Sequence, residues 1–185
     1  NWLLGLLPKD SEYEMGTASF YDVTAGVTHN FTDENSIQFN GYYSKDAFKF
    51  RINNSYGYEN VNGSVRWRNN FSSRSSVELL AGYDRYSYSN ADWTNQVNGY
   101  QLKFDISQIY GKMKFKYMPV HSHTFIYGAE CISYDLMPGS YLPYGAGSLV
   151  VPDVMDNEKG VEGAVYLGDN WAFSPKLSLD FGVRY

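Results

Sequence analysis

The sequence contains one cysteine, Cys131, and no long apolar run. A membrane-spanning helix needs about 20 consecutive apolar residues, whereas the longest apolar stretch here is the short segment from Trp2 to Leu7. A single cysteine also cannot form a disulfide within the chain. The sequence therefore excludes helical membrane proteins and any internal disulfide framework.

Charge of either sign is limited as well. The chain has 15 Lys and Arg residues against 20 Asp and Glu residues, which gives a net charge of -5 at pH 7. Acids and bases are interspersed, so no basic surface is available for phosphate backbones. We expect no nucleic-acid partner.

Aromatic residues, in contrast, are abundant, with 18 Tyr, 11 Phe and 4 Trp. A soluble domain would have to bury most of these rings, whereas a transmembrane β-barrel places them in girdles at its two interfaces. One ring recurs just before each of four short polar turns. These rings are Phe31, Phe71, Tyr117 and Phe173.

Short turns alternate with longer connections along the chain. The turns are at Thr32–Asn35, Ser72–Ser75, Pro119–Ser122 and Ser174–Pro175. The longer connections are predicted at Asn53 to Tyr58, Ser89 to Asn98 and Leu136 to Lys159. Short turns at one edge and long loops at the other are typical of bacterial outer-membrane barrels, where the loops are extracellular.

Between the turns, apolar and polar residues alternate with period two, which predicts β-strands. The apolar face predicted to contact lipid contains Val61, Val65, Trp67, Val77, Leu79, Phe125, Leu177, Leu179 and Phe181. The polar face predicted to line the lumen contains Arg66, Arg68, Glu78, Lys112, Lys114, Lys116, Asp180 and Arg184. The sequence thus predicts an all-β fold, a transmembrane antiparallel β-barrel section with about eight strands.

Two strands change phase along their length. Phe39 and Phe48 hold opposite phases, and so do Phe104 and Met113. Since a one-residue slip exchanges the two faces, each change predicts a β-bulge or a strand leaving the membrane. We place these changes near Ser44–Asp46 and at Ser107–Gln108.

A soluble β-sheet binding module is an alternative, because it also alternates. Typical soluble strands are about 5–6 residues long, whereas the pattern here persists over the whole of residues 59–71. The length of the pattern favours the membrane barrel.

No motif indicates catalysis or metal binding. His121 and His123 have a spacing that could hold a metal, but no third ligand is nearby. Asp153, Asp156 and Glu158 lack the spacing and the glycine of a dedicated calcium loop. No catalytic triad order or phosphate-binding loop is present. We expect no enzymatic activity, no cofactor and no metal.

The predicted long loops and their flanks are rich in Tyr and Trp, which offer contact area together with a polar group. These side chains are candidates for gripping a ligand, although an outer aromatic girdle or ordinary loop packing would use the same residues. The candidate ligand-binding residues are Tyr86, Tyr88, Trp93, Tyr134, Tyr141 and Tyr144.

The closing segment resembles a hairpin of TonB-dependent outer-membrane receptors. It has Asp169 and Trp171 near a turn and ends in Gly182-Val183-Arg184-Tyr185. Phe20–Val23 and Gly41–Ser44 are similar to receptors of this family found in Bacteroidetes. The resemblance implies a 22-stranded barrel that is plugged by an N-terminal domain and imports iron chelates, cobalamin, glycans or peptides. The energy for import would come from the TonB complex.

Two features of the family are not seen in this sequence. No plug domain and no TonB box are visible in residues 1–185, so the resemblance implies a barrel section that would reach TonB through a plug domain outside it. The expected partners are outer-membrane lipid, the TonB complex and a small nutrient.

A complete eight-stranded barrel with a structural or adhesive role is the other alternative. Its interior is just wide enough for side chains to fill it. The lysines and arginines of the polar face, with few acids evidently opposite them, therefore favour a section of a wider barrel.

Overall fold

The computed structural model describes residues 16–49 and 53–185, which form an antiparallel β-sheet. The strands are β1 (Thr17–Asn30), β2 (Asn35–Lys49), β3 (Asn54–Ser72), β4 (Ser75–Asp92), β5 (Tyr100–Val120), β6 (His123–Pro143), β7 (Asp153–Val154), β8 (Glu158–Ser174) and β9 (Leu177–Arg184). One short 3-10 turn spans Gln96–Asn98. No helix among the described residues is long and apolar enough to cross a membrane.

Each strand pairs with its neighbour in sequence, except at β7. The order across the sheet is β1-β2-β3-β4-β5-β6-β8-β9, and the two-residue strand β7 pairs with β6. Within the described residues β1 and β9 lie at opposite edges and do not pair with each other. A closed eight-stranded barrel requires that pairing, so the described residues form an open section of a barrel.

The register assigns every side chain to one of two faces, because residues directly opposite in an antiparallel pair point the same way. We name the faces after two adjacent residues of β3. The Val65 face includes the row Phe39, Val65, Ala81, Gly111 and Cys131. The Arg66 face includes the next row, Gln38, Arg66, Leu80, Lys112 and Glu130.

This register separates the predicted sets completely. Every residue predicted to contact lipid lies on the Val65 face, and every residue predicted to line the lumen lies on the Arg66 face. The separation follows from the period of two, which the pairing preserves from strand to strand.

The sheet has almost no core of its own. Val77 and Ala91 are the buried hydrophobic residues among those described. Large apolar side chains of the Val65 face are exposed instead, with exposed fractions of 65% for Val27, 64% for Ile109 and 74% for Val183. A soluble sandwich buries one face of each sheet against the other. The soluble alternative is therefore wrong, because no second layer covers this apolar face among residues 16–49 and 53–185, as a water-soluble sheet would require.

The connections are shorter than the sequence predicts. β3 begins at Asn54, so the predicted loop from Asn53 to Tyr58 is wrong. β4 continues to Asp92, which leaves residues 93–99 as the second loop. Polar and small residues in these segments pair as regular strands because the sheet extends beyond its apolar part.

The predicted loop from Leu136 to Lys159 is also too long. β6 continues to Pro143 and β8 begins at Glu158, with β7 lying between them. Pro138 fits inside β6 because the β5–β6 register shifts between Lys103 and Asp105, and prolines are tolerated at such irregularities.

Neither predicted bulge is present. β2 and β3 stay in register through Ser44–Asp46, and β4 and β5 through Ser107–Gln108. The pairing of the backbone is regular throughout. What changes is the face on which the apolar residues lie, from the Val65 face at Phe39 to the Arg66 face at Phe48. The other register shifts lie next to the short turns, between Asn70 and Ser72, Tyr117 and Val120, and Ala172 and Ser174.

Candidate ligand-binding face

The Arg66 face divides into two chemically different halves. The row of Asp84, which includes Asn62 and Gln108, marks the division. We call the part from this row toward the long connections the loop half, and the part toward the short turns the turn half. The same names apply to the Val65 face.

The turn half of the Arg66 face carries the predicted lumen-lining charges. Glu78 contacts Arg68 at 2.8 Å and Arg66 at 4.0 Å. Glu130 pairs with Arg184 and lies 3.8 Å from the ammonium of Lys112. The expectation that these cations lack opposing acids is therefore wrong for four of them, because the register brings acids of the adjacent strands beside them.

The other predicted lumen-lining residues are arranged differently. Lys114 and Lys116 form no ion pair with another described residue, although Lys114 lies directly opposite Glu78 in the register. Asp180 accepts a hydrogen bond from the amide of Asn170 at 2.6 Å. The turn half is thus a polar surface with an excess of positive charge.

The loop half of the Arg66 face carries five neighbouring rings from adjacent rows of the register. We call this group the aromatic row; it consists of Phe48, Tyr58, Tyr86, Tyr88 and Phe104. Ring centroids are 6.2 Å apart for Phe48 and Tyr58, and 5.1 Å for Tyr58 and Tyr88. Those of Tyr88 and Tyr86 lie 4.8 Å and 6.0 Å from the centroid of Phe104. The Phe48–Tyr58 contact is edge-to-face and the other three are tilted, all at distances that aromatic pairs prefer.

The phenol groups add hydrogen-bonding capacity to this surface. Burial raises the pKa of Tyr88, and it also raises the pKa of Tyr100 further toward the long connections. Both hydroxyls therefore stay protonated and neutral at ordinary pH. Beside the aromatic row, Asp84 accepts hydrogen bonds from the amides of Asn62 and Gln108, the latter at 2.6 Å.

The structure brings together only part of the predicted ligand-binding set. Tyr86 and Tyr88 belong to the aromatic row. Trp93 and Tyr144 stack on each other in the connections, with ring centroids 4.8 Å apart.

The remaining two residues of the set lie apart. Tyr141 contacts Tyr100, with ring centroids 5.2 Å apart. Tyr134 donates a hydrogen bond to Glu162 at 3.3 Å. The sequence interpretation missed Phe48, Tyr58 and Phe104. The signal for the two phenylalanines was the change of phase, which was interpreted as either a bulge or the strand leaving the membrane; the continuous register excludes the bulge.

The loop half of the Val65 face is polar, so the apolar band ends there. Lys45 lies 3.8 Å from Glu59, and Arg85 lies 2.6 Å from Asp105. Burial of Asp105 favours its neutral form, but hydrogen bonds from Arg85 and Ser87 outweigh burial and hold the pKa of Asp105 below its usual value. Charged pairs at this height are typical of a surface beyond the hydrocarbon layer.

His123 has a partner that the sequence interpretation did not anticipate. Its Nδ1 lies 2.6 Å from Oδ2 of Asp169, and its ring stacks on Trp171. Asp169 is buried, with 7% of its surface exposed. No group of three or more metal-ligating side chains occurs in residues 16–49 and 53–185. The histidine is thus held by Asp169 and Trp171 on the Val65 face.

The long antiparallel strands and the exposed apolar band define an outer-membrane β-barrel. Residues 3–185 match the family described as TonB dependent receptor-like, beta-barrel, and the chain belongs to this family. Its place is the bacterial outer membrane, as the resemblance of the closing hairpin implied. No curated protein sequence matches the chain.

Solved receptor structures have the same fold. The ferric preacinetobactin receptor BauA from Acinetobacter baumannii has a TM-score of 0.71 at 13% identity, covering 95% of this chain and 34% of that protein. The copper transporter OprC has a TM-score of 0.72 at 12% identity, with coverages of 91% and 29%.

A variant of the ferric enterobactin receptor PfeA from Pseudomonas aeruginosa has a TM-score of 0.64 at 16% identity, with coverages of 91% and 28%. The chain thus spans about a third of the length of these proteins. Identities this low establish the fold of the chain and leave its cargo open.

Proposed function

We propose that the chain is a section of the barrel of a receptor that imports a scarce nutrient, with energy from the TonB complex acting through a plug domain. The Val65 face contacts lipid and the Arg66 face lines the lumen. The observation that carries this proposal is the contrast between the exposed apolar band and the charged turn half.

The orientation follows from the energy of charges in lipid. An arginine or lysine at the bilayer midplane on the lipid side costs about 2–4 kcal/mol. The turn half of the Arg66 face carries several such residues, whereas the band on the Val65 face carries large apolar side chains. Only one orientation of the sheet avoids the cost.

The aromatic row supports a ligand vestibule on the extracellular side. In an outer-membrane barrel the long connections are extracellular, so the loop half of the Arg66 face opens toward the medium. Tyr86 and Tyr88 would contact the ligand within the row. Tyr141, Trp93 and Tyr144 would line its rim, and Tyr134 would act at a separate point beside Glu162.

The cargo belongs to the classes imported by this family, namely iron chelates, cobalamin, glycans or peptides. Nutrient import is tested by comparing a strain that lacks the full-length receptor with its parent. Growth is measured on media in which one of the four nutrient classes is limiting. We expect a growth defect on one medium, which the intact receptor restores and the double substitution Tyr58→Ala and Tyr88→Ala does not.

The matched control is Tyr83→Ala, which removes a phenol from the Val65 face of the same strand. It should restore growth like the intact receptor. If deletion causes no defect on any medium, import of these nutrients by the receptor is wrong. If Tyr83→Ala and the Tyr58→Ala, Tyr88→Ala double substitution restore growth equally, nutrient binding by the aromatic row is wrong.

A further inference from the structure

In the loop half, acids occur on both faces, whereas the described bases occur on one face only. The Arg66 face of the loop half carries acids at Asp22, Asp46, Asp84, Asp92, Asp153 and Glu158. Among the described residues it carries no Lys, Arg or His. The bases of the same half that the structure describes all lie on the Val65 face, at Lys45, Lys49, Arg85, Lys103 and Lys159.

The charge of the Arg66 face also changes along the strands. Its turn half carries the bases Arg66, Arg68, Lys112, Lys114, Lys116 and Arg184, against fewer acids. The proposed lumen wall is thus negative near the extracellular side and positive toward the short turns. The division lies at the row of Asp84.

Two acids of the Arg66 face lie next to the aromatic row. Asp46 lies directly opposite Tyr58 in the β2–β3 register. Asp84, two residues before Tyr86 on β4, is hydrogen-bonded by neutral amides, which satisfy its oxygens without cancelling its charge. No ion pair neutralises Asp84 within the described part of the chain.

These features favour a ligand of one sign of charge. A cleft lined by one sign raises the local concentration of ligands of the opposite sign. The faces of Tyr and Phe rings attract cations and offer stacking surface. Aromatic rings and carboxylates therefore both favour a positive ligand, and the carboxylates repel an anion.

We propose that the aromatic row binds a cargo that combines a flat apolar or aromatic surface with net positive charge. This inference rests on the proposed function, and it narrows the cargo classes to their cationic members. The basic turn half repels the same cargo, which confines its binding to the extracellular side of this wall.

The proposal is tested with two xanthene dyes that share a flat ring system and differ in charge, the cation rhodamine 6G and the anion fluorescein. Binding to the purified full-length receptor is measured by fluorescence anisotropy at low ionic strength. We expect rhodamine 6G to bind at least about tenfold more tightly than fluorescein, because the carboxylates of the loop half on the Arg66 face attract the cation and repel the anion.

Two substitutions test whether the preference for the cationic dye arises from the Arg66 face. Asp46→Asn should weaken rhodamine 6G binding roughly threefold, the effect of one charge several ångströms away across a partly solvated surface. Fluorescein binding should stay equal or improve. The matched control is Asp135→Asn, which removes a carboxylate from the Val65 face in the loop half. It should change neither affinity.

The outcomes separate this inference from the proposed function. If fluorescein binds as tightly as rhodamine 6G, or if Asp46→Asn has no more effect than Asp135→Asn, the charge preference is wrong. The aromatic row can still be a binding surface in that case, provided that Tyr88→Ala weakens both dyes. If Tyr88→Ala weakens neither dye, the aromatic row does not bind flat ligands, and the proposed vestibule fails as well.

Discussion

Val65 and its neighbour Ser64 offer a direct test of which face contacts lipid. Val65 lies opposite Phe39 and Ala81 in the apolar band, whereas Ser64 lies opposite Asn40 and Gly82 on the other face. Replacing each with arginine places the same side chain at almost the same depth. The two variants differ mainly in the face that receives the charge.

The expected difference is large. An arginine on the lipid side near the midplane costs about 2–4 kcal/mol, which lowers the folding equilibrium constant roughly thirty- to several-hundredfold. The same arginine at residue 64 would reach a hydrated lumen, where a surface substitution changes stability by about 0.5 kcal/mol or less. The Val65→Arg receptor should therefore unfold at a clearly lower urea concentration than the Ser64→Arg receptor.

The measurement is a urea titration of the full-length receptor refolded into lipid vesicles. Folded protein is followed by its retarded mobility on unheated gels and by tryptophan fluorescence. Equal midpoints for the two variants would refute the assignment of the faces. A larger loss for Ser64→Arg would invert it.

Two further predictions concern accessibility. Cys131 is a free thiol in the row of Val65, on the face that we propose contacts lipid. A membrane-impermeant maleimide should therefore label it poorly in intact membranes and readily after denaturation; rapid labelling of whole cells would place it above the bilayer. Protease added to intact cells should cleave between Leu149 and Pro152, where Leu149 and Val151 are 77% and 79% exposed, because exposed connections are preferred cleavage sites. Cleavage at the Ser73–Arg74 turn instead would show the opposite orientation.

The alternation of apolar and polar side chains predicted most of the fold. Because the period of a strand is two, the sequence could assign Val65 and Arg66 to opposite faces without knowledge of which strands pair. The short turns then favoured pairing of neighbouring strands. Both expectations agree with the structure, which pairs neighbours throughout the main path.

The ends of the strands could not be predicted in the same way. Pro138 indicated a loop, since proline cannot donate to a regular ladder. The register shift in β5 and β6 accommodates it, and such a shift depends on the partner strand. The ion pair of Arg68 with Glu78 was missed for a related reason, because opposite positions are known only when the register is known.

The candidate site was partly hidden by an ambiguous pattern. A change of phase at Phe48 has two meanings, a bulge in the backbone or a change in which face is apolar. Only the continuous register of β2 with β3 distinguishes them. Once the backbone is known to be regular, Phe48 and Phe104 join Tyr58 and Tyr88 on one surface, and the aromatic row becomes visible.

The order of the strands also has a consequence for how the chain folds. Apart from β7, each strand between the two edges pairs with the strand before it and the strand after it, so the sheet consists of successive hairpins. Closing a short connection costs little chain entropy, and each new hairpin finds its template already formed beside it. The sheet can therefore assemble by sequential zippering. A substitution that shifts the register of one hairpin would pass the shift on to every strand added after it.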